Sequence, residues 1–141
     1  ADSLAAFYLN NTSDIHRAIL AEGDSLFLSA AQAAALRKAD SLFAGRVRAI
    51  FRPLGNFLAQ FGDGAVSKAA LDSVTVARKA YWKVFWEQPE IAAEILTPTQ
   101  RTLMPMLVSM TQVPMKEREQ SQWYFGYPIG FADRAKGGVT P

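Results

Sequence analysis

The chain has 141 residues, half of them hydrophobic, and fifteen Lys and Arg against thirteen Asp and Glu leave a formal charge of +2. That balance describes one domain with an ordinary apolar core rather than a disordered chain. Cysteine is absent and histidine occurs once, which excludes disulfides, thiolate metal sites and Cys nucleophiles and leaves most hydrolytic chemistry without its groups. No glycine-rich phosphate loop precedes a helix, so the expectation is a non-enzymatic protein with no cofactor and no metal. No run of about eighteen uncharged apolar residues exists, and no transmembrane span is expected. The opening ADSLAAFYLNN lacks the basic start and apolar block of a signal peptide, as in a mature chain trimmed from a precursor or cut from a longer protein.

In chain order, a first helix is predicted over about Ser13 to Asp24, capped by Thr12 or Ser13, with Ile15, Ile19 and Leu20 on one face. The clearest element begins at Ser29 and carries Leu36, Ala39, Phe43, Val47, Ile50, Leu54, Phe57 and Phe61 in steps of three or four, the stripe of one long helix. Pro53 removes a backbone donor inside it, so a kink or break is expected near Phe51 and Arg52. Gly62, Asp63 and Gly64 predict a turn, with Asp63 or Ser67 capping the next helix. That helix covers about Ala65 to Glu87, with Leu71, Val74, Tyr81 and Phe85 inward and Lys68, Arg78, Lys79 and Lys83 outward. Pro89 restarts a short helix bearing Ile91 and Ile95. A last helix starts at Thr97 and uses Leu103, Leu107 and Met110, distorted at Pro105. Strand signals are weak throughout. The expected fold class is all-α, a small antiparallel helical bundle or hairpin over 1–111, followed by an extended, non-helical interaction tail over 112–141.

The single histidine, His16, reads as a solvated or helix-face histidine, since no ligand partners or apolar pocket surround it in sequence. Glu87, Glu90 and Glu94 read as a solvated acidic face, because the Glu-x-x-His element of a carboxylate metal helix is missing. Arg37, Lys38, Arg46, Arg48 and Arg52 concentrate positive charge with only Asp40 in opposition. The small net charge and the lack of interleaved aromatics argue against nucleic acid. Three readings remain for these cations: an ordinary solvated face, contact with acidic protein surfaces, or peripheral contact with anionic lipid headgroups. Met104, Met106, Met110 and Met115 read as adaptable core filler.

The tail holds the densest aromatic cluster: Trp123, Tyr124, Phe125, Tyr127 and Phe131. At about 200 Å² each and ~25 cal/mol per Å², their burial amounts to roughly 25 kcal/mol gross. Ordering the segment that carries them costs a similar amount, at about 1.5–2 kcal/mol per residue. Such a segment needs something to pack on, either its own bundle, a partner protein or a membrane interface. These five residues are the candidate partner-binding anchors, with Arg46, Arg48 and Arg52 as an electrostatic rim.

One pattern occurs twice. Leu28-Ser29-Ala30-Ala31-Gln32 and Leu96-Thr97-Pro98-Thr99-Gln100 both read Leu, hydroxyl residue, two positions, Gln. Each is a capping box: the Ser29 or Thr97 hydroxyl accepts from the third backbone N–H, while Gln32 or Gln100 reaches back to the capping residue. Pro98 stands at the first helical position, where its missing donor does no harm. The run LSAAQAAALRKADSLFAGRV, a proline-bearing apolar segment, and then ILTPTQRTLMPMLVSM resembles the LTxxQ-type helical proteins of the bacterial envelope, the Spy- and CpxP-type periplasmic chaperones. In its order of elements it is more similar still to the helical C-terminal segment of TonB-dependent-receptor-like envelope proteins. The resemblance covers about Asn10 to Met110. The first copy has Ser29 where Thr is usual and lacks the proline, and Met104-Pro105-Met106 replaces a more charged sequence. A further resemblance, carried by no single motif, is to small extrinsic subunits of bacterial photosynthetic reaction-centre–antenna assemblies. These resemblances imply a periplasmic protein peripheral to a membrane that contacts protein subunits of a larger, membrane-bound complex. The alternative they imply is a Spy-like holdase that binds unfolded clients.

Overall fold

The structure, a computed structural model, describes residues 3–11, 14–61 and 67–120. Among them are nine α-helices and no strand, so the chain is all-α: α1 (Ser3–Asn11), α2 (Ile15–Ala21), α3 (Gly23–Leu26), α4 (Ala30–Leu58), α5 (Lys68–Trp86), α6 (Gln88–Ile95), α7 (Pro98–Thr102), α8 (Pro105–Gln112) and α9 (Met115–Gln120). A single 3₁₀ turn at Ala59–Phe61 closes α4.

The 29-residue α4 is the spine. Its apolar stripe buries Leu36, Phe43, Val47, Phe51 and Leu54 against α1, α2 and α5. The helix runs unbroken through Pro53, so of the expected kink or break the break does not occur. Pro53 and Ala49, whose carbonyl loses its donor, are both exposed, so water can take the freed carbonyl and the core loses nothing. On α5 the inward set is Ala70, Ala77, Tyr81, Trp82, Val84, Phe85 and Trp86, with Val74 half-buried. Leu71 is exposed instead, because it falls on the flank of the arc that Ala70, Ala77 and Tyr81 define. Rings dominate the centre: Tyr81 sits edge-on to Trp82 and tilted against Phe51, and Tyr8 of α1 stacks on Phe51.

The start of the chain departs most from expectation. α1 was not foreseen; it buries Ala5 and packs Leu4, Tyr8 and Leu9 against the core. The helix expected from Ser13 to Asp24 is two pieces, and its cap is Asp14, whose Oδ1 accepts from Arg17 N at 3.1 Å. It parts at Glu22, and α3 ends in a left-handed residue, Phe27, at φ 55°. Leu28 N donates to Gly23 O and Phe27 N to Asp24 O, the pair of bonds that usually places glycine where Phe27 stands.

Ser67 caps α5, and Pro89 opens α6. The helix expected from Thr97 divides at Met104 into α7 and α8, with Pro105 at the first position of α8, where its missing donor does no harm. Leu103, left in the gap, is exposed, while Met104 and Leu107 are buried and Met106, Met110 and Met115 pack on the core. α9, a helix where an extended, non-helical tail was expected, packs on α5 through Arg118, which donates from Nε to Val113 O (2.7 Å), from Nη1 to Trp86 O (2.9 Å), and from both ends to the Glu90 carboxylate. The expected turn at 62–64 lies outside the described residues.

Candidate functional site: an apolar seam beside paired caps

Both capping boxes form, and they meet. Ser29 Oγ accepts from Gln32 N at 3.0 Å and Thr97 Oγ1 from Gln100 N at 3.2 Å. Each glutamine oxygen accepts from its own cap, Ser29 N at 3.0 Å and Thr97 N at 2.8 Å. The two amides also bond each other head to head, Gln32 Nε2 to Gln100 Oε1 at 2.6 Å and Gln100 Nε2 to Gln32 Oε1 at 3.0 Å. Their remaining donors cross over: Gln32 reaches Ile95 O, and Gln100 reaches Leu26 O and Phe27 O. Phe27 and Ile95 each precede the leucine of their motif, so the arrangement is reciprocal. Every amide hydrogen and lone pair is used. Replacing either glutamine by alanine is expected to destabilise by about 2 kcal/mol, as stranded partners are left behind. Chemical denaturation of Gln32→Ala, Gln100→Ala and the double variant should give a coupling of at least about 1 kcal/mol; strictly additive losses would contradict the pairing.

The clasp fixes the start of α4 against α7, and beyond it a seam opens between α4 and α5–α6. Two hollows lie along it. The larger, about 460 Å³, is lined by Ile50, Pro53, Leu54 and Phe57 on α4 and by Asp72, Ser73, Val76, Ala77 and Ala80 on α5. The smaller, about 210 Å³, is lined by Ala39, Leu42, Phe43 and Arg46 of α4, with Val84, Gln88, Ile91 and His16 opposite. Leu42 is 60% and Val76 68% exposed, and Ile91 is exposed at the smaller rim. Leu42, Val76 and Ile91 thus stand as large apolar side chains lining open hollows along one seam. On the wall of the smaller hollow, Arg46 Nη1 bridges the seam to Glu87 Oε2 at 2.6 Å.

A second cluster lies beside the smaller hollow. His16 is 1% exposed, a correction to the solvated reading. α2 lies against both α4 and α6, so even the residue beside Ile15 is covered. Neither ring nitrogen has a partner among the described residues, and burial drives the imidazole down to about 4. Asp14 and Asp40 face one another. Burial first, then the hydrogen bond to Asp40, pushes the Asp14 carboxyl up to about 7, against the pull of Arg17 N and the Arg17 guanidinium. Arg17 Nη2 lies 3.8 Å from Asp14 and 3.7 Å from Asp40.

The acidic face expected at Glu87, Glu90 and Glu94 is open only at Glu94. Glu87 holds Arg46, and Arg118 holds Glu90 well below the usual carboxylate range by hydrogen bonding. Arg48 and Arg52 lie exposed on the outward side of α4 rather than in the seam, and only Arg46 of the three enters it. Trp123, Tyr124, Phe125, Tyr127 and Phe131 lie outside the described residues. Leu42, Val76 and Ile91 were missed as site residues. One signal was available: Leu42 and Pro53 fall beyond the core stripe of α4, making its apolar arc wider than one packing neighbour requires.

Among the described residues no group of three or more His, Asp or Glu could hold a metal, and no helix is long and apolar enough to cross a membrane. Comparison of the chain with protein-family models, curated proteins and solved structures gives no match.

Proposed function

We propose that the chain is a non-enzymatic interaction subunit of a larger, membrane-bound assembly of the bacterial envelope, periplasmic and peripheral to the membrane. The observation that carries this reading is the seam, where open apolar hollows rimmed by Leu42, Val76 and Ile91 run along a rigid 29-residue helix. Among the described residues no set of nucleophile, base and oxyanion donors converges on it, which favours contact over catalysis. The paired LTxxQ-like caps support the envelope setting by resemblance. A reaction-centre–antenna assembly is one such complex, and the aromatic residues of 123–131 and the cations Arg46, Arg48 and Arg52 supply further contact groups.

The test is gentle extraction of the full chain from its native membranes beside the variant Leu42→Glu/Val76→Glu. Both positions are exposed, so the bundle stays folded while the seam turns acidic. The native chain is expected to bring a defined partner set, and the variant to lose it. Identical partners with both chains would count against the seam.

A holdase is the second reading, favoured by the same open apolar surface lying beside LTxxQ-like caps. It predicts that the purified chain suppresses aggregation of several unrelated unfolded proteins and that the seam variant does not.

A further inference from the structure

We infer that the occupant of the seam is an amphipathic helix whose apolar stripe is bordered by carboxylates. This deepens the interaction-subunit reading and rests on it. The α4 wall runs from Ala39 to Phe57, about 27 Å at 1.5 Å per residue, which a helix of about eighteen residues would match. The hollows fall near positions 39–46 and 50–57 of α4, so their centres lie about eleven residues, roughly 16 Å, apart. Residues i and i+11 of a helix differ by only about 20° around its axis. One face can therefore present a large anchor to the 460 Å³ hollow and a smaller one to the 210 Å³ hollow. Arg46, the lining residue of the smaller hollow nearest the larger one along α4, is paired across the seam with Glu87, so the docking face must be small or polar where it passes this bridge.

Charge decides what borders the stripe. Lys83 continues the Val76–Ala80 row of α5, Lys79 stands one turn beyond Val76, and Lys38 stands one turn before Leu42 on α4. All three are exposed, and none has an ion pair among the described residues. Of the carboxylates along the seam, Asp72 is engaged by Lys68 at 2.8 Å and Glu87 by Arg46, which leaves the exposed Glu94, one turn beyond Ile91, against the three lysines. The rim is thus net cationic and complements an acidic border. A second copy presenting this same face would set lysines against lysines. The chain's own 121–141 stretch brings one Asp against an Arg and a Lys, and cannot supply the border.

The experiment titrates the full chain with eighteen-residue synthetic helices carrying Phe and Leu anchors eleven positions apart, a small polar middle, and either Glu or Lys borders. Binding is read by fluorescence anisotropy and by amide shifts of the seam residues. The Glu-bordered helix is expected to bind at least tenfold more tightly at low salt, with the preference fading near 1 M salt. Moving the anchors to nine positions apart puts them on opposite faces and should cost a further tenfold. Lys79→Glu/Lys83→Glu, both at exposed positions, should reverse the preference toward the Lys-bordered helix. Equal affinity for the two borders, or indifference to anchor spacing, would overturn the assignment. So would capture of phosphatidylglycerol vesicles that the Glu-bordered helix cannot displace. If the helices fail while Leu42→Glu/Val76→Glu still loses its native partners, the occupant is wrong and the interaction reading stands.

Discussion

Asp14→Asn is expected to lose roughly 3 kcal/mol of stability between pH 6.5 and 4.5 relative to the native chain, read by urea denaturation across that range. Two opposed titrations produce this. His16, at about 4 folded against 6.5 in its ordinary state, is protonated in the unfolded chain before the folded one. Its contribution is complete above pH 6.5 and is lost as the pH falls toward 4. Asp14, at about 7 folded against 3.8, holds its proton longer in the folded chain, so its contribution is complete below about 3.8 and lost as the pH rises through 7. Over the shared window each changes by about 1.4 kcal/mol per pH unit, with opposite sign. The native chain should therefore show little slope from this cluster. The amide in Asp14→Asn still caps α2 and can donate to Asp40, but it does not titrate, which leaves the His16 loss uncompensated. His16→Phe should do the reverse, gaining roughly 3 kcal/mol relative to the native chain over the same acidification. Parallel pH profiles for the three proteins would show that the two groups do not titrate as their burial requires. The neighbours that complete the cluster are Arg17 on α2 and Asp40 on α4, with Arg46 across the smaller hollow.

The second large effect is expected where α9 is held. Glu90→Ala should cost about 3 kcal/mol, whereas Arg118→Met should cost only about 1–2 kcal/mol. The Arg118 side chain is 6% exposed and the Glu90 side chain 43%. Removing the glutamate leaves a guanidinium charge buried without its counterion, while removing the arginine leaves a carboxylate that water can reach. Methionine also fills the space of the arginine stem. Calorimetric melting of the two variants checks the order, and Arg118→Met costing more than Glu90→Ala would overturn it. Because Glu90 is held below the usual carboxylate range, the difference should shrink as acid protonates the native carboxylate.

The parts legible in the sequence were those set by local periodicity. The α4 stripe, the Ser67 cap, the outward lysines of α5 and both capping boxes follow from residue spacing within a turn or two, and the structure has them. What spacing could not convey was which faces acquire neighbours. Leu71 and Leu103 are as apolar as Leu36 or Leu107, yet none of the described helices covers them. His16 carries no sequence sign of burial; only the wedging of α2 between α4 and α6 hides it. α1 went unread because its apolar residues crowd its sequence without marking a single side. The site was less legible than the fold. The seam exists because α5 and α6 leave part of α4 uncovered, a fact about packing rather than composition.

The clasp between Gln32 and Gln100 ties together the behaviour of distant backbone. Ser29 N and Thr97 N each donate to a glutamine whose other bonds depend on the opposite motif. Neither amide can be released by fraying of its own helix alone. Their deuterium uptake should accordingly follow one shared opening event, although 68 positions of chain separate the two motifs.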